Sequence, residues 1–584
     1  MIKILKYMKK TEWLFILISV VFIVAQVFLD LKMPDYMNDI SLKVELGGGS
    51  VGGVLSSGYM MLLCALGSLV SSVIVAVFAA RVASNLAKRL RELEYGAVMS
   101  FSSAEMNKFS TASLITRSTN DITQVQMFFA LGFQVLIKAP ITAAWAVTKI
   151  SGKSWEWTLA TGGAVAFLIV MISVIVIFAI PKFRKIQTLT DNLNRVAREN
   201  LTGIRVVRAY NAEEYQEEKF DKANSALTRT YLFTTRVMSI MMPAMSLIMS
   251  GLSLSIYWIG AYLINAADMM SKGPIFADMI TFMIYAMQVV MSFMMLSMIF
   301  IMLPRASVAA KRVLEVILTK STITDGAGNG ETKTEKGRVE FRDVFFKYPD
   351  ASDYTLKNIS FTASPGETVA FIGATGSGKS TLINLLPRFY DATKGRVLVG
   401  GEDVRDYPIK KLRQKLGYVP QKAVMFSGSV RSNVAFGDNS SASETQSVAD
   451  SVATAQAKDF VESRPGGYDG DVARGGLNLS GGQKQRLSIA RALNRNPEIL
   501  IFDDTFSALD YKTDKLLRSS LKSGHKQVTT LVVAQRIGTI RDADKIIVLE
   551  EGEIAGAGTH AELMENCPVY REIAMSQLSK EELS

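Results

Sequence analysis

Six runs of mainly apolar residues, each long enough to cross a bilayer, fill the first half of this 584-residue chain, at positions 14–31, 55–80, 129–147, 159–180, 238–264 and 275–303. A hydrocarbon layer about 30 Å thick takes about 20 helical residues. Inside it every backbone N–H and C=O must be paired within its own segment, so runs of this length fold as helices. The alternating pattern of a membrane β-barrel is missing. The second and fourth runs are followed by long, charged, helix-compatible stretches, 81–126 and 181–236, whereas the other connections are short. Arg81, Lys88, Arg89, Arg91, Lys182, Arg184 and Lys185 collect in the long stretches. By the excess of positive charge on cytoplasmic loops, both long loops and both chain ends are expected in the cytoplasm of a multi-pass protein of the cell membrane. Residues 1–10, with Lys3, Lys6, Lys9 and Lys10, read as an interfacial helix leading into a retained span.

Composition agrees with this reading. Hydrophobic residues make up 49% and charged residues 20% of the chain, with mean hydropathy +0.21. The net charge of +11 belongs to the basic ends of the spans and gives no reason to expect a nucleic-acid partner. The only cysteines, Cys64 and Cys567, allow neither a disulfide framework nor a zinc cluster.

Near residue 320 the character changes to short apolar strands, glycine turns and amphipathic helices. Residues 321–337, rich in Gly, Thr, Glu and Lys, read as a linker between a transmembrane region, 1–320, and a second domain, 338–584. Gly373-Ala-Thr375-Gly376-Ser377-Gly378-Lys379-Ser380-Thr381 satisfies the phosphate-loop pattern, with an apolar strand predicted before it and a helix after it. Glycines let backbone N–H groups curl around a phosphate at a helix N-terminus. Lys379 is expected on the β- and γ-phosphates of ATP and Ser380 on Mg2+. Residues 498–504 form an apolar strand ending in Asp503-Asp504, and Asp503 is expected to hold Mg2+.

Between these motifs lies Leu479-Ser480-Gly481-Gly482-Gln483, opening a predicted helix. Here the chain closely resembles the ABC transporter ATPases, whose hallmark this pentapeptide is. The resemblance covers about the last 240 residues, and it implies a fold of six membrane helices followed by an α/β P-loop (RecA-like) ABC ATPase domain. It also implies that Tyr348 stacks on adenine, that Gln421 touches Mg2+ and the membrane domain, that Asp510 lies in the D-loop, and that 472–476 stands at the X-loop position with different wording. Six spans ahead of one ATPase domain resemble an exporter-type (type IV) half-transporter. Residues 113–121 and 200–215 resemble its two intracellular loops, each implied to carry a short helix resting on the ATPase domains.

Two positions depart from the family pattern. Where the family has a catalytic Glu this chain has Asp504, and where it has a switch His this chain has Gln535. A carboxylate one methylene shorter falls about an ångström short of the attacking water, a misplacement that costs on the order of 100-fold, or roughly 2.7 kcal/mol of barrier. Glutamine donates a hydrogen bond but carries no proton or charge. The only histidines, His525 and His560, lie before strand 528–533 and after the last strand, away from the switch position. Because the family pairs one chain's phosphate loop with the other chain's LSGGQ, a weak site beside an intact LSGGQ implies a different partner half-transporter. The resemblance is then to the degenerate-site subunit of heterodimeric bacterial multidrug exporters.

In the sixth run Met283, Met287, Met291, Met294, Met298 and Met302 recur at i+3/i+4 and form one helical stripe. Flexible thioethers suit a pocket for varied amphipathic compounds. Lys138 in the third run and Asp278 in the sixth are charges inside spans, which often mark a pathway. A siderophore- or metal-complex importer, a lipid flippase and an ATP-gated channel or regulator stay open as alternatives on the same scaffold.

Overall fold

A computed structural model describes residues 1–45, 51–331, 335–437, 445–524 and 526–577. The chain divides into two compact units, one made of Met1–Ala97 and Ala112–Leu318, the other of Val98–Thr111 and Thr319–Ser584.

The first unit is helical. Among the described residues, six helical stretches of 35 to 54 residues are long and apolar enough to cross a membrane. The helices are α1 (Lys10–Glu45), α2 (Val51–Ser100), α3 (Phe133–Ile150), α4 (Trp155–Thr202), α5 (Glu213–Ser239), α6 (Met241–Ala266) and α7 (Lys272–Leu318). α5 and α6 together make the fifth stretch. Many run well past the length a bilayer needs, because the charged loop sequences also favour helix and continue the spans without a break. Two single-turn π-helices, Arg117–Asp121 and Phe128–Gly132, precede α3. The apolar core joins Ile23, Val27 and Leu31 of α1 to Trp157, Leu252, Ile256, Phe282 and Tyr285.

Three carboxylates of this bundle, Asp30, Asp35 and Asp278, are paired with lysines, which offsets the cost of withdrawing them from water. Asp30 accepts from Ser68 Oγ at 2.5 Å and pairs with Lys138 Nζ at 3.4 Å. Asp35 meets Lys149 at 2.6 Å and the Tyr285 hydroxyl at 2.6 Å. Asp278 accepts from Asn38 at 3.0 Å and pairs with Lys153.

The second unit is α/β. Strands β1 (Val339–Phe346), β2 (Leu356–Ala363), β4 (Lys394–Val399) and β5 (Glu402–Asp403) form an antiparallel sheet in the order β2-β1-β4-β5. Strands β3 (Thr368–Ile372), β6 (Leu416–Val419), β7 (Ile499–Asp503), β8 (Thr529–Val533), β9 (Lys545–Glu550) and β10 (Glu553–Gly558) form a second sheet, ordered β10-β9-β3-β8-β7-β6. All its pairings are parallel except that of β9 with β10. Every residue of the interior strand β7 is buried, which is why it reads as a continuous apolar run. Helices α8 (Lys379–Asn384), α9 (Gly481–Leu493), α10 (Tyr511–Gly524), α11 (Ile537–Ile540), α12 (His560–Asn566) and α13 (Pro568–Gln577) follow in order. The first-loop turn Ser103–Lys108 is part of this unit. Its capping box joins Ser102 and Glu105, Glu105 Oε1 accepts from Thr322 N at 3.2 Å, and Asn107 Nδ2 donates to Tyr390 OH at 2.9 Å.

Candidate nucleotide site

The site lies where the parallel strands end, the edge at which ligands bind in open α/β sheets. β3 stops at Ile372 and the chain turns through Gly373 at φ +155°. A Cβ there would lie 2.0 Å from the Leu549 carbonyl oxygen, so only glycine fits. Gly376 and Gly378 hold φ +89° and +96°, and a Cβ on Gly376 would meet open space. Thr375 and Gly376 form the turn of this loop, and Gly378 stands ahead of α8.

Lys379 folds back over the loop. Its Nζ donates to the carbonyls of Gly373 at 2.8 Å and Ala374 at 2.7 Å, and to Ser377 Oγ at 3.3 Å. Ser380 Oγ donates to Asp503 Oδ1 at 2.7 Å. Asp504 is a non-glycine residue at φ 47°, ψ 32°, an uncommon backbone state that occurs where surrounding contacts hold it. Its Oδ2 accepts from Gln535 Nε2 at 2.7 Å and from Gln421 Nε2 at 3.3 Å. Ser507 Oγ donates to the Asp504 carbonyl at 2.8 Å. The Tyr348 hydroxyl lies 2.9 Å from Thr381 Oγ1, and its ring packs edge-on against Phe346 and Tyr390.

The electrostatics follow from crowding. Burial pushes the Asp503 carboxyl above its usual range and Asp504 adds to this, while Ser380, Tyr418 and Lys379 oppose it. Burial raises Asp504 as well, against Gln421, Ser507, Lys379 and Gln535. Burial lowers Lys379, whose charge Asp504 and then Asp503 support. Two carboxylates beside a serine hydroxyl, a buried lysine and a strand-to-helix glycine turn fit Mg2+ with a polyphosphate. The acids gain a cation, the hydroxyl a metal partner and the lysine an anion.

Nine side chains singled out from sequence therefore meet here: those of Tyr348, Ser377, Lys379, Ser380, Thr381, Gln421, Asp503, Asp504 and Gln535. The LSGGQ residues do not join them in this single chain. Ser480 and Gln483 close a capping box on α9, with Gln483 N donating to Ser480 Oγ at 3.3 Å and Ser480 N to Gln483 Oε1 at 2.9 Å, and Gly481 and Gly482 make its first turn. Asp510 accepts from Thr513 N at 3.0 Å ahead of α10. His560 bonds Tyr570, away from the carboxylates, and His525 lies outside the described residues.

The transport candidates fall on differing surroundings. Met283 and Met294 pack against the helical core, Met287 is half-buried, and Met291 and Met298 are exposed. Lys138 is the partner of Asp30. Two contacts at the nucleotide site escaped the sequence reading. Tyr418, one of the residues leading into Gln421, reaches Asp503, and Gln577 Nε2 donates to the Gln535 carbonyl at 2.8 Å.

Comparison with known proteins gives the family. Residues 15–293 match the model of the ABC transporter transmembrane region and residues 356–507 the model of the ABC transporter family. An ABC transporter ATP-binding protein of Mycobacterium tuberculosis (strain H37Rv) is 37% identical over 521 residues, covering 89% of this chain and 87% of the relative. This chain belongs to the ABC transporter family. YfiB of Bacillus subtilis, also named an ABC transporter ATP-binding protein, is 33% identical over 97% of this chain and 96% of its own length. The ATP-dependent lipid A-core flippase of Pseudomonas aeruginosa is 32% identical over 83% of this chain and 79% of its own length. A bacterial Atm1-family ABC exporter solved with ATP bound superposes with TM-score 0.77 at 25% identity, covering 98% of both chains. The chain is thus an exporter-type half-transporter with an ATP-hydrolysing domain.

Proposed function

We propose that this half-transporter is the degenerate-site subunit of a heterodimeric exporter that moves amphipathic compounds out of the cell. The observation that carries this reading is the Asp504–Gln535 contact at 2.7 Å. A short carboxylate is tied to an uncharged amide where turnover calls for a longer base and a titratable switch. In this reading the domains are the transmembrane region 1–320, the linker 321–337 and the ATPase domain 338–584, with both termini cytoplasmic in the cell membrane.

Within the nucleotide site, Tyr348 stacks on adenine, and Gly373 to Thr381 cradle the phosphates with Lys379. Ser380, Asp503 and Gln421 would hold Mg2+, which would supply charge neutralisation to the phosphates. Asp504 holds the water poorly, so ATP is bound long and cleaved slowly. Ser480, Gly481, Gly482, Gln483 and Asp510 complete the partner's site, where most hydrolysis occurs. ATP-driven closure turns the cavity outward through the loop helices, and the methionines of α7 line the path of the cargo. A second reading, with a lipid as cargo, is favoured by the relatives named lipid A-core flippases.

Restoring both family residues tests the weak site. Asp504→Glu with Gln535→His is expected to raise turnover by on the order of 100-fold. A double variant no faster than the natural chain would refute the reading.

A further inference from the structure

The carboxy-terminal helix α13 reaches the segment that carries Gln535. β8 ends at Val533, and Arg536 precedes the one-turn helix α11 at φ −107°, ψ 128°, with no cap from its own side chain. The first N–H groups of a helix need acceptors from elsewhere. Gln577, the last described residue of α13, supplies one: Ile537 N donates to its Oε1 at 2.9 Å. The same amide turns its Nε2 to the Gln535 carbonyl at 2.8 Å. One side chain thus spans Arg536 and satisfies the backbone groups on both sides of it, as a neighbouring strand would.

Gln577 acts from a fixed base. Tyr570, Ala574 and Gln577 recur at i, i+4 and i+7 and share one helix face. Tyr570 and Ala574 are fully buried, the Tyr570 hydroxyl lies 2.7 Å from His560 Nδ1, and Arg571 Nε donates to the Met564 carbonyl at 2.7 Å. From the other side of the same residue, the Gln535 side chain reaches Asp504 at 2.7 Å, beside Gln421. A continuous set of contacts therefore runs from α13 through the Gln535 backbone to the carboxylate of the nucleotide site.

We propose that Gln577 is a positioning residue for ATP turnover, clasping the backbone of Gln535 so that its side-chain amide stays on Asp504. This rests on Asp504 and Gln535 facing the γ-phosphate, as in the reading above, and not on the identity of the partner or the cargo.

The test uses the full chain in lipid nanodiscs as Gln577→Ala, Gln577→Glu and, as a control at an exposed position of the same helix, Met575→Ala. Hydrogen exchange of the peptide covering 534–540 is followed without nucleotide. Losing one hydrogen bond should speed exchange at Ile537 about 5- to 10-fold in Gln577→Ala. Gln577→Glu keeps an acceptor and should leave Ile537 protected, as should Met575→Ala. Single-turnover hydrolysis of labelled ATP with the chain in excess, which reads the slow residual cleavage at this site, should fall by a similar further factor in Gln577→Ala, with ATP affinity changed less than about twofold and the melting temperature unchanged. Unchanged exchange, faster exchange with unchanged hydrolysis, a matching loss of ATP affinity, or the same loss in Met575→Ala would each overturn the clasp. Brisk hydrolysis by the natural chain would refute only the weak-site reading, because the exchange result is independent of turnover.

Discussion

Replacing Asp503 by asparagine should stabilise the nucleotide-free ATPase domain while abolishing its Mg2+-dependent work. Burial and the neighbouring Asp504 raise the Asp503 carboxyl above its ordinary value, so the folded protein holds that proton more tightly than the unfolded chain does. The sign follows from linkage. The cost of carrying the charge is fully present above the raised folded value, declines as pH falls through it, and is gone below the unfolded value near 3.8. Asparagine keeps an oxygen for Ser380 Oγ, which donates at 2.7 Å in the natural protein. Lys379 loses only its lesser carboxylate partner, since Asp504 ranks ahead of Asp503 in supporting its charge. For a domain of this size each 1 kcal/mol gained in this way raises the melting temperature by roughly 2–4 °C. The assay is thermal unfolding of the full chain in lipid with a chelator, at about pH 7.5 and again as the pH is lowered toward the unfolded value of 3.8, where the gain should shrink. In parallel, the slow residual Mg2+-dependent ATP hydrolysis of the chain should disappear. An Asp503→Asn chain that melts lower, or whose gain does not depend on pH, would refute the reasoning.

Other consequences follow from the same geometry. Tyr348→Ala should weaken ATP binding by about 5- to 150-fold, the worth of one base–aromatic stack, whereas Tyr348→Phe, which loses only the hydroxyl contact with Thr381, should cost less than about threefold; equilibrium binding of ATP separates the two. Gly373→Ala places a methyl group 2.0 Å from the Leu549 carbonyl oxygen and should abolish ATP binding and lower the melting transition of the ATPase domain. In the membrane unit, Asp30→Asn leaves Lys138 without its carboxylate, a pair only partly buried, and should cost about 1–3 kcal/mol. Asp30→Asn with Lys138→Met should recover most of that loss, as thermal unfolding in lipid would show.

The parts legible in the sequence were those whose chemistry leaves a local pattern. Runs of apolar residues give the spans, and Gly373 to Thr381 must be a strand-to-helix glycine loop because only glycine reaches φ +155° against the Leu549 carbonyl. Asp504 and Gln535 each stood out as departures, but that they touch depends on β7 and β8 being paired neighbours, which no local signal states. Gln577 was invisible for the same reason: a glutamine at a helix end has no motif, and its meaning comes from the loop that α13 happens to face. Lys138 drew notice as a charge in a span, while its partner Asp30 did not, because the pairing needs the packing of α1 against α3. The methionine stripe was regular in sequence yet meets both core and surface, since periodicity fixes a face and not what covers it.

The most direct test of the central claim is ATP hydrolysis by the purified chain in lipid, alone and with candidate partner half-transporters. The account predicts a nearly inactive chain whose mixture with one partner turns over, that turnover being lost when the partner's own catalytic glutamate is removed. Brisk hydrolysis by the chain alone, unaffected by any partner, would contradict it and make a homodimer with a competent Asp504 the better description.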